Sequence, residues 1–229
     1  MDRPIGPESP PGAAVAPPRT PITGRYSSLE PLEPSHIPSL FSNIAGPSNE
    51  VLWTYLPTAC PPDIGAFEQQ FSQWSASTDP LYYAVVAGEA GAKEVLGLMS
   101  YLSIVPEHRR LEIGWIVLGE KLKRTRIATE AFYGLLKTAF DELGYLRVEW
   151  KCNDLNKASR DAAARLGFTY EGTFRRHIIV KGRRRDSAWF SIIKEEWPAV
   201  KRGFEKWLSD ENFDEEGRQK RRLQECREG

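Results

Sequence analysis

Residues 111–152 contain the pattern that most restricts the fold: a strand, a long helix and a second strand in succession. The first apolar run covers residues 111–118 and the second covers residues 146–152. Between them, apolar residues recur at helical spacing over residues 125–143. A strand, a helix and a strand in this order form a right-handed crossover, which makes the two strands parallel neighbours. The sequence therefore predicts a sheet that contains a parallel pair.

Further helices and strands are predicted on both sides of this crossover. Helical spacing recurs over residues 35–45, 61–75 and 156–166, and strand-like runs cover residues 82–86, 95–102, 169–180 and 187–193, with turns over residues 88–93 and 181–184. This mixture is typical of an α+β domain. A chain of 229 residues holds one such domain with a sizeable core, but two full domains would be cramped.

Both ends of the chain differ in composition from the middle. Residues 1–21 contain seven prolines and almost no large apolar side chains, which predicts a flexible arm. In residues 198–229 an acidic block is followed by a basic one, which predicts a solvated, charged helical tail. The catalytic domain is therefore expected to span residues 22–197.

Charge and cysteine content narrow the function classes. Lys and Arg number 31, as do Asp and Glu, so the balance predicts no nucleic-acid partner. The cysteines Cys60, Cys152 and Cys226 are far apart and form no CxxC pair, so we expect neither a disulfide framework nor a metal site. No run of eighteen apolar residues and no apolar signal segment occurs, which predicts a cytoplasmic protein without a membrane partner.

Four segments of the chain resemble the GNAT superfamily of acyl-CoA N-acyltransferases, in particular the branch that includes ribosomal-protein alanine N-acetyltransferases and their small-molecule relatives. In chain order they are Leu111-Glu112-Ile113-Gly114-Trp115, residues 123–131, residues 153–159 and Arg165-Leu166-Gly167-Phe168. The resemblance covers residues 24–197. It implies a GNAT-like three-layer α/β/α fold with a mixed, splayed central sheet, acetyl-CoA as co-substrate, and a monomer or homodimer.

The resemblance also implies where acetyl-CoA binds. Its pyrophosphate would lie at the start of the long helix, where unpaired N–H groups and the positive dipole end favour an anion. The family's loop reads Gln/Arg-x-x-Gly-x-Gly/Ala, whereas here Arg126 replaces a glycine. An arginine either blocks the phosphate or binds it, and the cations at 121, 123 and 124 favour binding over a solvated basic face. The predicted cofactor-binding residues are Val117, Leu118, Lys123, Arg124, Thr125, Arg126, Ile127, Ala128, Thr129, Asn156 and Ser159.

Two residues are expected to carry the chemistry. Glu112 resembles the general base that removes a proton from the acceptor amine. Its alternative is a solvent-facing carboxylate paired with Arg109 or Arg110. Ser159 resembles the group that hydrogen-bonds or protonates the departing thiolate, or else it is a simple helix hydroxyl. Asn156 is expected to cap this helix.

The acceptor is expected to bind under the loop of residues 46–58. Trp53, Tyr55, His108 and Glu112 are the predicted substrate-binding residues, although His108 is also typical of a solvated loop. The preferred reaction is direct acetyl transfer to the primary amine of a small molecule in a ternary complex. A protein N-terminus is the alternative acceptor. A catalytically silent acyl-CoA-binding domain is the alternative function, and the Arg126 replacement is what favours it.

Overall fold

One mixed sheet runs through the centre of the molecule. The computed structural model describes residues 5–88 and 93–228. The strands are β1 (Ile22–Thr23), β2 (Ser27–Pro31), β3 (Leu81–Ala87), β4 (Glu94–Val105), β5 (Arg110–Leu118), β6 (Arg147–Asn153), β7 (Thr169–Val180) and β8 (Arg183–Ile193). They lie in the order β1-β2-β3-β4-β5-β6-β8-β7. β5 and β6 are parallel, as the crossover predicts, and the other neighbouring pairs are antiparallel.

Helices cover both faces of this sheet. They are α1 (Ile37–Ile44), α2 (Ile64–Ala76), α3 (Arg126–Lys137), α4 (Lys157–Leu166), α5 (Trp197–Leu208) and α6 (Leu223–Arg227). On one face, α1 and α2 pack through an apolar cluster that includes Leu40 and Phe67. On the other face, α3 to α6 pack through a cluster that includes Leu135, Leu166 and Phe204. The predicted α+β fold with α/β/α layers is confirmed. No helix of the described residues is long and apolar enough to cross a membrane.

β5 and β6 part near their middle. Their pairing runs from Arg110↔Arg147 to Glu112↔Glu149. Just beyond, the register between β4 and β5 shifts, and Trp115 adopts a φ of 48°. A bulge of this kind bends a strand. At Gly114 a Cβ would lie 2.8 Å from the Leu102 Cδ2 atom, so a larger residue there would displace that side chain. The predicted splay is confirmed, and it leaves a gap between the two strands.

The helices on either side of this gap begin where their sequences predict. α4 also ends as predicted, whereas α3 ends at Lys137 and continues as a π-helical turn, Thr138–Glu142, over most of the remaining predicted length. At the start of α3, Thr125 Oγ1 accepts a hydrogen bond from the Ala128 N–H at 3.1 Å. At the start of α4, Asn156 Oδ1 accepts one from the Ser159 N–H at 3.1 Å. Gly167 follows α4 with a φ of 103°, a conformation that glycine adopts without strain. The local caps therefore fix both helix N-termini at the gap.

The C-terminal residues pack into the main core instead of forming a solvated tail. In α5, Val200, Phe204 and Trp207 are buried, and Leu223 and Cys226 of α6 join the same cluster. Spacings of four and three residues place the first three on one helix face. The acidic and basic blocks predicted a solvated tail because the buried apolar residues are interspersed among many charged ones.

Part of the proline-rich N-terminal arm is hydrogen-bonded to the domain. Ala14 N–H donates to Pro106 O at 3.0 Å, and Val15 N–H donates to Leu143 O at 2.9 Å. The described residues 5–21 contain no helix or strand, as their prolines favour. Most of the predicted turn over residues 88–93 lies outside the described residues. The boundaries at 21 and 197 stay predictions.

Candidate active site

The gap between β5 and β6 opens on the side where α3 and α4 begin. On its β5 side, Val117 and Leu118 pair with Leu98 and Gly97 of β4. Beyond Glu112, the edge of β5 that faces β6 has no strand partner in the described part of the chain. Main-chain groups along this edge can therefore bond to an extended ligand that carries amides. This supports the predicted place for Val117 and Leu118.

The loop between β5 and α3 forms a cradle for an anion. Leu122 N–H donates to Gly119 O at 2.9 Å, and Thr125 Oγ1 donates to Leu122 O at 2.7 Å. Within residues 5–88 and 93–228, the N–H groups of Arg126 and Ile127 have no hydrogen-bond partner. They lie at the positive end of the α3 dipole, which favours a phosphate group.

The positive charge around this cradle is smaller than the sequence suggests. Lys121 pairs with Glu94 at 2.6 Å, and Lys123 pairs with Glu120. Arg124 is exposed, and no carboxylate of the described residues pairs with it. Its φ of 61° is left-handed, a conformation that favours glycine. Arg124 is therefore the available cation of the loop.

Arg126 does not point into the cradle, which corrects its predicted phosphate contact. Its guanidinium lies 4.2 Å from the Tyr26 ring centre and 4.0 Å from that of Phe213. Nη2 donates to Leu208 O and, at 2.9 Å, to Asp210 Oδ1. Aromatic faces, a carbonyl and a carboxylate thus hold the side chain away from the cradle, although its Nε is buried without a hydrogen-bond partner among the described residues. Its main-chain N–H stays in the cradle.

The other α3 residues predicted to bind the cofactor also direct their side chains toward the core. Thr129 Oγ1 donates to Thr125 O and accepts from Arg165 Nη2, both at 3.1 Å. Ala128 is buried, and Ile127 packs against the same core. Their contribution to an anion site is therefore limited to the helix N-terminus they form.

Ser159 lies in the first turn of α4 and is held by the sheet. Trp150 Nε1 donates a hydrogen bond to Ser159 Oγ at 3.0 Å. Because an indole N–H only donates, the hydroxyl accepts here and keeps its own proton for another partner. Burial raises the pKa of the nearby Cys152 thiol, and a hydrogen bond from Ser159 opposes that rise. The Ser159 hydroxyl therefore lies near the Cys152 thiol, at the start of α4 beside the gap.

Glu112 is buried where β5 and β6 part. Its Oε2 lies 2.6 Å from Lys151 Nζ. Burial raises the pKa of Glu112 above its usual value, and the charge of Lys151 partly opposes this. A buried carboxylate with a raised pKa is suited to accept a proton.

The solvent-facing alternative for Glu112 is wrong. The carboxylate is 2% exposed. Arg110 instead lies 3.5 Å from Glu149, and Arg109 Nε donates to Gly144 O at 2.9 Å. The chain folds so that Lys151, a residue of the next strand, takes the place of both arginines.

The aromatic residues of the 46–58 loop have different positions. The Trp53 indole is 1% exposed, stacks on Trp74 with ring centres 6.1 Å apart and meets Trp115 edge-on at 6.5 Å. It therefore supports the β5 bulge from within the core, which corrects the predicted side-chain contact with substrate. Tyr55 lies at the surface, where its hydroxyl donates to Leu155 O at 3.2 Å.

His108 lies away from the gap. It belongs to the short 3₁₀ turn Pro106–His108, which precedes β5. That is the end at which β5 and β6 are paired. His108 is exposed, and Arg109, with a φ of 50°, turns the chain between it and β5, so sequence proximity misplaced it in the acceptor site.

A set of polar residues beside Glu112 was missed by the sequence reasoning. Lys151 of β6 and three residues of β8, Arg185, Ser187 and Trp189, occupy alternate positions facing away from the α3 layer. The signal that could have found them is the period of two over residues 185–191. Within the part of the chain that the structure describes, no three His, Cys, Asp or Glu side chains group as metal ligands do.

Comparison with known proteins identifies the class. The acetyltransferase (GNAT) domain matches residues 28–169, more than half of the chain, so the protein belongs to the GNAT family. It is a GNAT-type N-acetyltransferase, and acetyl-CoA is the acyl donor of that family.

Individual relatives agree with this assignment. A GCN5-related N-acetyltransferase from Brucella melitensis is 41% identical, with a TM-score of 0.91 over 95% of this chain and 98% of its own. A probable acetyltransferase from Chromobacterium violaceum is 40% identical, with a TM-score of 0.77 over 86% and 100%. YdaF of Bacillus subtilis, provisionally named a ribosomal N-acetyltransferase, is 32% identical over 46% of this chain. The chain spans 57% of the length of YdaF.

Proposed function

We propose that this protein transfers the acetyl group of acetyl-CoA directly to the primary amine of a small molecule in a ternary complex. The observation that carries the proposal is the β5–β6 gap, which has a buried carboxylate, Glu112, where the strands part. The cradle at the start of α3 fits a diphosphate, because the N–H groups of Arg126 and Ile127 lack partners within the described chain. Acetyl-CoA would supply the reactive thioester.

The residues that line the gap have separate roles in binding acetyl-CoA and in the reaction. The free edge of β5 near Val117 bonds to the amides of the pantetheine arm, and an N–H of this edge polarises the thioester carbonyl. Glu112 takes a proton from the attacking amine, and the Ser159 hydroxyl donates to the departing sulfur. Cys152, a thiol beside this path, is buried, which raises its pKa and disfavours a thiolate nucleophile. Direct transfer is therefore favoured over an acyl-cysteine intermediate.

Contacts of the 46–58 loop favour a small acceptor. Lys181 Nζ, at the tip of the β7–β8 hairpin, donates to Trp53 O at 2.7 Å. Tyr55 joins the same loop to the segment before α4. These two hydrogen bonds hold the loop across the acceptor side of the gap and narrow the entrance to the acceptor site. A protein N-terminus is the second candidate, which the provisional name of YdaF favours.

An acceptor screen tests the proposal. Purified protein and acetyl-CoA would be incubated with amino acids, polyamines, aminoglycosides and short peptides, with free thiol release as the readout. We expect turnover with at least one small amine and acetyl-CoA binding by calorimetry. Turnover with peptides alone would transfer the proposal to protein N-termini. Acetyl-CoA binding without thiol release from any amine would identify a silent binding domain.

A further inference from the structure

Arg185 is a half-buried cation without a carboxylate partner among the described residues. Its Nε donates to Ser187 Oγ at 3.1 Å, which leaves the terminal nitrogens of the guanidinium available. The adjacent Arg184 differs, because it is exposed and pairs with Asp186 at 2.7 Å. Burial lowers the pKa of Arg185, while Cys152 and Glu112 partly oppose this. An anionic ligand would remove this cost.

The carboxylates nearest to Arg185 are already neutralised. Glu112 pairs with Lys151 at 2.6 Å. Glu149 lies 2.8 Å from Arg147 and 3.5 Å from Arg110. The polar face beside the gap therefore carries a surplus positive charge at Arg185.

Trp189 lies on the same face of β8 as Arg185 and Ser187, and His177 contacts both Ser187 and Trp189. Ser187 Oγ accepts from Arg185, so its own proton is available to His177 Nδ1, 3.0 Å away. When Ser187 donates to Nδ1, Nε2 of the same ring carries the proton and is a further donor. Trp189 Nε1 is buried and has no acceptor among the described residues, and the Trp189 ring centre lies 5.8 Å from that of His177. An indole N–H can only donate. The terminal nitrogens of Arg185 and the Nε1 of Trp189 are thus donors without an acceptor among the described residues.

We propose that Arg185, His177 and Trp189 bind a negatively charged group of the acceptor, so that the substrate is a primary amine that also carries a carboxylate or a phosphate. The inference rests on the proposed function and names its substrate class. Lys151 shows how close this cluster is to Glu112. Its Nζ contacts Glu112 and lies 5.0 Å from the Trp189 ring centre. The anion subsite is therefore one side chain away from the proton acceptor. Amine and anion are separated by a few bonds.

Ligand binding tests this without requiring turnover. Calorimetry on protein saturated with CoA would compare N-acetylglycine with N-acetylglycinamide, and O-phosphoethanolamine with ethanolamine. The first pair detects a carboxylate site and the second a phosphate site. In each pair the two compounds differ in the anion that they carry. We expect the preferred anion to bind about tenfold more tightly than its neutral partner, because charge-assisted hydrogen bonds to a guanidinium are strong.

Three substitutions locate the effect. Arg185→Gln should abolish the preference for the anion, and Arg185→Lys should restore part of it. Arg184→Gln, on the same strand but outside the cluster, should keep the full preference. Equal binding of anionic and neutral partners in both pairs would overturn the inference, as would a preference that survives Arg185→Gln. Neutral amines acetylated as fast as their anionic counterparts would also overturn it, yet they would leave the proposed function standing.

Discussion

Lys151 Nζ lies 2.6 Å from Glu112 Oε2, at the point where the parallel strands β5 and β6 separate. Burial raises the pKa of Glu112, while the charge of Lys151 lowers it. Because the carboxylate is nearly inaccessible to solvent, Lys151 controls how far its proton affinity departs from that of an ordinary glutamate. Lys151 is thus a positioning residue for the proposed base.

Replacing Lys151 should shift the pH dependence of the reaction. A base acts in its deprotonated form, so a higher pKa moves the acidic limb of the kcat/KM profile to higher pH. For Lys151→Met we expect a displacement of about 1 unit or more, since a lost opposite charge at this distance has that effect. Lys151→Arg should retain most of the original profile. Lys157→Met, which removes an exposed ion pair, is the control. An unchanged pH profile in Lys151→Met would show that Lys151 does not control the pKa of the base.

Glu112→Gln should lower kcat while acetyl-CoA affinity stays nearly constant. The amide keeps the shape of the side chain but cannot accept the proton of the amine. Activity of the variant should recover at higher pH, where more of the amine is already neutral. Rates across a pH series and calorimetry with acetyl-CoA would measure both quantities. A variant with the wild-type rate and profile would show that the amine loses its proton to water.

Ser159→Ala should reduce turnover by about 10- to 10³-fold if the hydroxyl assists the departing thiolate. Acetyl-CoA affinity should change little, because the helix cap is made by Asn156. Asn156→Ala is the matched variant, and it should lower the free energy of unfolding by about 1 kcal/mol through loss of that cap. Steady-state kinetics and urea unfolding distinguish the two. An unaltered kcat in Ser159→Ala would reduce Ser159 to a hydrogen-bond acceptor for Trp150.

Arg126→Glu should destabilise the protein more than it weakens acetyl-CoA. The substitution removes two cation–π contacts and places a second negative charge beside Asp210. We expect the free energy of unfolding to fall by about 2 to 4 kcal/mol. Lys206→Glu, on the exposed face of α5, should have a much smaller effect. A large loss of acetyl-CoA affinity with unchanged stability would return Arg126 to the phosphate site.

Arg124→Gln should weaken acetyl-CoA several-fold at low salt and less at high salt, because ions screen an exposed charge. Lys121→Gln in the same loop should have a smaller effect, since Glu94 already offsets the charge of Lys121. Calorimetry at two ionic strengths would measure both. Equal losses in the two variants would contradict the assignment of Arg124 as the available cation.

Features that depend on residues close in sequence could be predicted, whereas features that depend on residues distant in sequence could not. The caps at Thr125 and Asn156 depend on neighbours three residues away, so the helices around the gap could be predicted. The orientation of Arg126 depends on Asp210, which is 84 residues further along the chain. The charge of Lys121 is likewise offset by Glu94, on another strand. Pairings of this kind leave no local pattern, and the number of loop cations therefore overstated the free charge.

The sequence places Arg185 on a strand but does not reveal that it lacks an ionic partner in the described part of the chain. Side chains alternate between the two faces of a strand, which places residues 185, 187 and 189 on one face. The alternation does not show that Ser187, His177 and Trp189 leave Arg185 without a carboxylate. That property emerges when the hairpin folds beside the β5–β6 gap.

The contact between Arg126 and Asp210 also constrains how this protein can diverge. Arg25, Tyr26 and Arg126 hold the pKa of Asp210 at about 2, so the aspartate is charged at any physiological pH. A lineage that restored glycine at position 126 would leave part of that charge unmatched and open a space between Tyr26 and Phe213. Positions 126 and 210 are therefore expected to change together among descendants. The phosphate loop and the C-terminal segment would then be inherited as one unit.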